Sequence, residues 1–423
     1  MSTAPKAPFK SLIGIDDAQR LIAERVAPVQ GTERCSLQAA QGRVLAEPIT
    51  AHSFAPPCDM SAMDGYAVDT AALSGAGPWR LRVSARIAAG QAGAAPAVAV
   101  TGGTAARIFT GAPVPAGADA VLAQECVRVI GEDIVVETPP SPGQNIRPRG
   151  GDMVPGQHLV PAGQRVGMRE IAAAAGSGQA TLPVRRAVRV ALIITGNEVF
   201  EAGSARPQGC IWDVNTPVLE SLLTALGPVV ERVSLQHSQD DRGGIAARLS
   251  QAAESADLIV TTGGLSVGDE DHVIPSLEAL GAEIFFRGVA MKPGKPVSCG
   301  RVGGAVWLGL PGNPLAAITT WQLFGTALCR ALSGDATVAP CAWPVVLREG
   351  LTRKAGRAEC RLASLGPSDA FGRRMVSVET TVRSGNVAGL PQADGFVLIP
   401  ADAAALDAGA LVSFYPFAQI AGC

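Results

Sequence analysis

The stretch Asp257-Leu-Ile-Val-Thr-Thr-Gly-Gly-Leu-Ser-Val-Gly-Asp-Glu-Asp271 carries the densest set of groups able to do chemistry. It reads as a buried strand that breaks at Gly263-Gly264 into a loop of free amides and hydroxyls. Thr261, Thr262 and Ser266 supply donors, Gly268 adds a third point of close backbone approach, and Asp269, Glu270 and Asp271 follow at once. Such a loop suits an anion, whereas adjacent carboxylates repel one unless a divalent cation or an acid-base task justifies them. The stretch therefore predicts a phosphorylated ligand held together with a metal ion. GxxxxGK[ST] is missing, which excludes a nucleotide-triphosphatase loop, and no GxGxxG follows the first strand of the unit.

Other short segments offer complementary groups. Met291-Lys-Pro-Gly-Lys-Pro296 sets two ammonium groups, Lys292 and Lys295, across a Pro-Gly turn that can project both stems to one side. Only five Lys occur in the chain, so this pair reads as a clamp for phosphate or oxyanion, with a solvated turn as the plain alternative. In Leu310-Pro-Gly-Asn-Pro314, the residues Pro311, Gly312, Asn313 and Pro314 can start a long helix whose free amides would face an anion. Thr195-Gly-Asn-Glu-Val199 places Gly196 and Glu198 just past a strand end, where Glu198 could hold a ribose diol or a metal. Ile211-Trp-Asp-Val-Asn215 adds Asp213, the better candidate for a helix cap.

Nearer the N-terminus, Asp59, Ser61 and Asp64 fall within six residues of Pro56-Pro-Cys-Asp-Met-Ser-Ala-Met-Asp-Gly-Tyr-Ala-Val68. Arg107-Ile-Phe-Thr-Gly-Ala-Pro113 adds Thr110, and Asn145-Ile-Arg-Pro-Arg-Gly-Gly-Asp152 adds Arg147, Arg149 and Asp152. Tight-turn bonding and a local salt bridge are the competing structural explanations. The four His residues leave no basis for a histidine triad, and no His accompanies Cys58 or Cys126 as an activating base.

Three kinds of element must position these groups. Gly14 to Val29 carries a helix signal, with Asp16 and Asp17 at its start and Ile15, Ala18, Leu21, Ile22 and Val26 on one face. From Ser36 to about Arg186, short apolar runs at 81–87, 118–124 and 133–137 alternate with Gly/Pro turns, a β-rich region with more than one lobe. A brief helix is expected near 171–175. Beyond Ala187 strands and helices alternate. Strands are expected at 189–196, 229–235, 257–262, 283–286 and 305–310, and helices at 216–226, 241–253, 273–280 and 314–331. That alternation predicts a mainly parallel sheet covered on both faces, with its ligand outside the carboxyl ends of the strands. After Gly334 short strands at 344–347, 375–378, 395–399 and 411–415 suggest a small β domain. The expected units are 1–186, including an inserted lobe at about 56–148, then 187–335 and 336–423.

At 423 residues, 47% hydrophobic and 17% charged, the chain suits a folded protein of several domains. Its formal net charge of −2 gives no long-range pull toward nucleic acid or an anionic membrane. Nine Cys without a close CxxC pair read as buried reduced thiols. No signal peptide opens the chain and no run of eighteen apolar residues exists, so a cytoplasmic enzyme is expected.

Read in order, DMSAMDGYA, RIFTGAPVP, NIRPRGGD, TGNE, TGGLSVG, KPGKP and LPGNP closely resemble the molybdopterin molybdenumtransferase family and cover nearly the whole chain. The resemblance implies a multidomain α/β plus β fold. Its parts are a β-rich N-terminal region with an inserted lobe, a central three-layer αβα molybdopterin-binding domain and a C-terminal β-barrel-like domain. It also implies a homodimer whose active site is shared between the central domain of one subunit and the lobe of the other. The implied reaction takes molybdate and adenylylated molybdopterin to molybdenum cofactor, AMP and water, with Mg2+. By position in the matched motifs it assigns catalysis to Asp59, Asp64, Thr110, Arg147, Asp152, Glu198, Asp271, Lys292 and Lys295. Cofactor contacts fall to Thr195, Gly196, Thr262, Gly263, Gly264, Ser266, Gly268 and 311–314. Asp59, Glu198, Asp240, Asp241 and Asp271 are the metal candidates, Asp240 and Asp241 matching an acidic pair of the family.

Transient handover to a molybdopterin adenylyltransferase or to apo-molybdoenzymes is the implied partnership, with no nucleic acid and no membrane. A non-catalytic molybdopterin carrier and a molybdopterin adenylyltransferase are the alternative functions. Retention of Asp59, Asp64 and Asp271 speaks against a carrier, and the long N-terminal lobe and C-terminal domain speak against an adenylyltransferase. The chain departs from the family pattern at Asn197, where an acid is common, at Arg287-Gly288, and at Met60. Arg287 could serve the same phosphate as a Lys, although its planar fork is not equivalent.

Overall fold

The sheet that dominates the middle of the chain has six strands in the order 230–238, 188–195, 258–262, 305–310, 298–302 and 283–287. The first four are mutually parallel; 298–302 runs antiparallel to both of its neighbours, so 283–287 points the same way as the first four. The protein is described here from a computed structural model covering residues 11–90, 99–238, 241–265 and 271–417. Asp240, Ser266, Gly268, Asp269 and Glu270, named above, lie outside the described residues.

Alternation along the strand Val188–Thr195 explains the layering, because successive side chains leave opposite faces of a sheet. Val190 and Leu192 join a core with Leu219, Leu223, Trp321 and Phe324 on one face. Ala191 and Ile193 join Ile245, Leu249, Val273, Leu277 and Trp307 on the other. The first helix, Ile15–Arg25, buries Ile15, Ala18 and Ile22 into the former core although it stands far away in the chain. Asp16 and Asp17 occupy the first turn and Arg25 the last, in keeping with the helix dipole.

Several expectations are corrected. A further strand, Ser298–Val302, lies between Ala305–Leu310 and Glu283–Arg287; Ser298, Gly300 and Arg301 leave no apolar run to announce it. The helix expected to run from Pro314 to Ala331 is α-helical at Pro314–Thr320 and Thr326–Ser333, with a π-helical turn at Trp321–Gly325 between them. The helix expected to open at Thr216 on a hydroxyl cap spans Asn215–Ala225. There Asp213 accepts from the Thr216 amide (3.0 Å) and hydroxyl (2.5 Å). Burial of the thiols holds only in part: Cys299, Cys329 and Cys360 are buried, while Cys58 and Cys126 are exposed. Burial pushes Cys299 and Cys329 up to about 12, so these thiols are inert. Cys341 is disulfide-bonded, against the expectation of reduced thiols throughout.

The N-terminal lobe is a six-stranded sheet ordered 120–123, 65–68, 104–108, 79–87, 133–136 and 127–130. Tyr66, Val68, Leu81, Leu122, Ile134 and Val136 pack on one of its faces. Two smaller ladders, Thr32–Ser36 with Thr181–Arg185 and Ile49–Thr50 with His158–Val160, surround a separate core of Ala40, Leu45, Ile49, Leu182 and Val184. The expected brief helix spans Met168–Gly176.

The C-terminal strands close on themselves. Ala358–Ser368 pairs with Arg374–Val378, which pairs with Trp343–Leu347, then Leu411–Pro416, then Gly395–Ile399, which returns to Ala358–Ser368. Closure removes the free edges of a sheet. One strand from outside the ring, Met291–Lys292, adds to it in parallel beside Ala358 and Glu359.

At the base of the central sheet, Arg186 donates to both oxygens of Asp257 (2.7 and 2.8 Å) and the Arg189 amide donates as well (2.9 Å). Burial opposes ionisation of Asp257, yet these bonds outweigh it and hold the carboxyl well below the usual carboxylate range. Among the described residues no helix is long and apolar enough to cross a membrane.

Candidate active site

The chain enters the central sheet at Val188–Thr195, moves to one side at Val230–Ser238, then crosses to the other at Leu258–Thr262. Connections leaving in opposite directions open a crevice at the carboxyl ends of the strands. A cleft of about 710 Å3 lies there, lined from three loops by Thr195–Val199, Thr262–Leu265 and Pro311–Pro314, with Ile211–Asn215, Asp271 and Pro296.

Side-chain and backbone bonds fasten these loops together. The Thr195 hydroxyl donates to the Thr262 carbonyl (2.9 Å), the Gly263 amide to the Leu310 carbonyl (3.1 Å), and the Asn215 amide group to the Gly312 carbonyl (2.8 Å). Gly263 has φ +85°, and a Cβ there would stand 2.8 Å from the Thr195 hydroxyl. Gly264 has φ +63°, and a Cβ there would stand 2.8 Å from Val273 Cγ2. Both the conformation and the space therefore require glycine. Thr261, read as a loop donor, is instead fully buried and accepts from the Trp307 indole (3.1 Å).

Glu198 is exposed at the rim, on a short parallel ladder of Val199–Phe200 with Ile211–Trp212. The Ile211 amide donates to the Glu198 carbonyl (2.8 Å) and the Asp213 amide to the Phe200 carbonyl (2.7 Å). Asp271 lines the same cleft, half-buried. Glu198 and Asp271 thus share a wall-to-wall space with the glycine loop, an oxygen-donor set suited to a hard divalent cation. Asp241 does not line the cleft: it caps the helix Arg242–Ser255, accepting from the Gly244 amide (2.6 Å). Among the described residues no group of three His, Cys, Asp or Glu is gathered tightly enough to hold a metal alone. Asn313 precedes the helix that begins with Pro314, and its carbonyl accepts from the Ala317 amide (2.9 Å).

The two clamp lysines part company. Pro296, next to the half-buried Lys295, lines the main cleft. Lys292 lies 3.6 Å from the buried Glu359 and lines a second cleft of about 450 Å3 with Arg353, Lys354 and Arg357. Arg361, also buried, donates twice to Glu359 (2.9 and 3.0 Å). The charge-rich run Thr352-Arg-Lys-Ala-Gly-Arg357 is the sequence signal for this second cleft.

The lobe assembles its own cluster. Met60–Ser61 pairs with Ile146–Arg147, and Ser61 exchanges backbone bonds with Gly111 and Ala112. This brings three sequence-distant motifs side by side. Asp64 accepts from the Thr110 amide (2.8 Å) and hydroxyl (2.7 Å), and these bonds hold its carboxyl below the usual range. Asp59 accepts from the Arg149 amide (2.8 Å), and Arg147 pairs with Asp152 (2.6 Å). All of these side chains are exposed, and none lines the central cleft. Trp212 also lines the cleft, a position that its sequence context, Ile211-Trp-Asp-Val-Asn215, does not announce.

Comparison with known proteins is consistent along the chain. Residues 13–178 match the MoeA N-terminal region (domain I and II), 191–330 the probable molybdopterin binding domain, and 344–417 the MoeA C-terminal region (domain IV). The molybdopterin molybdenumtransferase of a Nostoc species is 35% identical over 78% of this chain and 77% of its own length. Molybdopterin molybdenumtransferase 2 of Mycobacterium tuberculosis is 33% identical over 93% of this chain and 97% of its own. The crystal structure of a molybdopterin biosynthesis MoeA protein from Pyrococcus horikoshii superposes with a TM-score of 0.80 at 29% identity, covering 97% of this chain and 100% of that one. With the fold, the switch-point crevice and the ordered motifs in agreement, the chain belongs to the molybdopterin molybdenumtransferase family.

Proposed function

We propose that this protein inserts molybdate into adenylylated molybdopterin, yielding molybdenum cofactor, AMP and water. The observation that carries this reading is the crevice in which the Gly263-Gly264 backbone stands beside two acids, Glu198 and Asp271. An adenylylated pterin bears a phosphoanhydride, whose oxygens suit the close backbone approach that Gly263 and Gly264 permit. Thr195, Thr262 and Asn215 hold the surrounding loops in place, so little reorganisation accompanies binding.

Glu198 and Asp271 would hold Mg2+, which would supply positive charge against the phosphoanhydride. Lys295 supplies counter-charge beside the cleft. Lys292 acts with the basic group Arg353, Lys354 and Arg357 in raising the local concentration of anionic molybdate. Cleavage of the adenylyl bond leaves the pterin dithiolene ready for metal loading. Asp59, Asp64 and Thr110 belong to the same site across a homodimer. Their exposure, and their absence from the lining of their own chain's cleft, support a role for the partner subunit's Asp59 in orienting the attacking water. The finished cofactor passes by transient contact to apo-molybdoenzymes, with the adenylyltransferase as supplier, in the cytoplasm.

Purified protein given adenylylated molybdopterin, molybdate and Mg2+ should release AMP and form a product that reconstitutes an apo-molybdoenzyme. If neither output appears with authentic substrate, the assignment is wrong.

A further inference from the structure

The rim of the main cleft carries an aromatic ring that neither the core nor any step above uses. Two of the other tryptophans, Trp307 and Trp321, are buried. Trp212 lines the cleft yet is 41% exposed, and its neighbour Ile211 is 53% exposed. Leaving two large apolar side chains in water beside a polar pocket is unfavourable unless something covers them.

Trp212 is also held in place. Its strand pairs with Val199–Phe200, and the amides on either side of it bond to the carbonyls of Glu198 and Phe200. Arg206 sits over the ring, with its guanidinium carbon 5.0 Å from the centroid, and its Nη1 donates to the Cys210 carbonyl. The cation covers one face and fixes the ring's tilt.

We propose that Trp212 is the stacking platform for the adenine ring of the adenylylated substrate, an inference that rests on the function proposed above. The order of groups along the cleft favours the adenine end over the pterin end. Phosphate oxygens fit the Gly263-Gly264 loop beside Glu198 and Asp271, and the Glu198 backbone is bonded in turn to Ile211. The base then falls next along the rim, at Ile211-Trp212. A pterin needs hydrogen-bonding partners along its edge. A purine can bind largely through its face, and a flat apolar lip provides that face.

The test compares binding of AMP and of ribose 5-phosphate, which lacks the base, to the full chain. Wild type should bind AMP more tightly than ribose 5-phosphate. Trp212→Ala should weaken AMP by about ten-fold while leaving ribose 5-phosphate unchanged, and Trp212→Phe should recover most of the loss. In turnover, KM for adenylylated molybdopterin should rise in Trp212→Ala by a similar factor, with a smaller change in kcat. Unchanged AMP affinity in Trp212→Ala would overturn the proposal, as would an equal loss for ribose 5-phosphate. These outcomes separate from failure of the wider function. A wild type that binds AMP through Trp212 but never loads molybdenum removes the enzyme reading alone, and a molybdenum-loading enzyme indifferent to Trp212 removes only the platform.

Discussion

The central cleft and the acid cluster of the lobe are built in opposite ways. Backbone makes the cleft: three strand ends, two glycines that admit no Cβ, and hydroxyl and amide groups tying one loop to the next. Side chains make the lobe cluster, where Asp59 and Asp64 each accept a short bond from a neighbouring motif, Asp152 pairs with Arg147 of its own, and all stay exposed. A pocket made of backbone has its shape before any ligand arrives. The lobe cluster is a set of oriented carboxylates on an open surface, and in the homodimer proposed above a second molecule of the same chain supplies its opposing wall.

The sharpest way to break this contrast is at Gly263. Gly263→Val would drive a branched side chain into the Thr195 hydroxyl at a backbone angle that side chains rarely adopt. Loss of AMP release by at least about 100-fold is expected, since small misplacements at a reacting centre have effects of that size. AMP binding should fall in parallel, and circular dichroism should show that the protein is folded.

Next in size is Asp59→Ala, expected to lower AMP release by about 100-fold while thermal stability stays close to wild type. Mixing it with Glu198→Ala tests the shared wall directly. Two inactive variants that regain about a quarter of wild-type activity on subunit exchange would place the two carboxylates on different chains of one site. No recovery, with exchange demonstrated by mass, would confine each site to a single chain.

A third substitution probes the scaffold under both regions. Asp257→Asn removes the charge that Arg186 and Arg189 share, and should reduce stability by about 2–3 kcal/mol, discounted for the partly exposed arginines. Because the folded carboxyl titrates below its unfolded value, its contribution is present above about pH 4 and fades as pH falls through the lower folded value. Denaturant melts at pH 7 and pH 3 should therefore differ less in Asp257→Asn than in wild type.

The smallest effect belongs to Thr110→Val. It removes the hydroxyl donor to Asp64 and keeps the amide donor, so the carboxyl should move part of the way back toward about 3.9. Carbon-detected titration of Asp64 measures this directly. No movement would mean that the amide alone orients the group.

Legibility in the sequence followed the same divide. The cleft was readable because glycine pairs, strand ends and alternating elements are local signals, and its three loops were identified from their own residues. The strand Ala358–Ser368 was missed for a physical reason. Its buried Glu359 and Arg361 satisfy each other, so polar letters stand where an apolar run would announce a strand. Lys292 was grouped with Lys295 by spacing, yet pairing with Ala358 and Glu359 carries it to another cleft. Such pairing joins residues dozens of positions apart, and spacing contains no trace of it. Trp212 was overlooked because tryptophan in an apolar stretch ordinarily means core.

The strand Met291–Lys292 belongs by covalent connection to the central unit and by hydrogen bonding to the C-terminal ring. Past a short Pro-Gly turn, the chain reaches Pro296 at the cleft wall. Ring and pocket wall are thereby stitched together by one short turn. Removal of the C-terminal strands would leave Met291–Lys292, and the turn that leads from it to the ligand space, without a hydrogen-bonded partner strand.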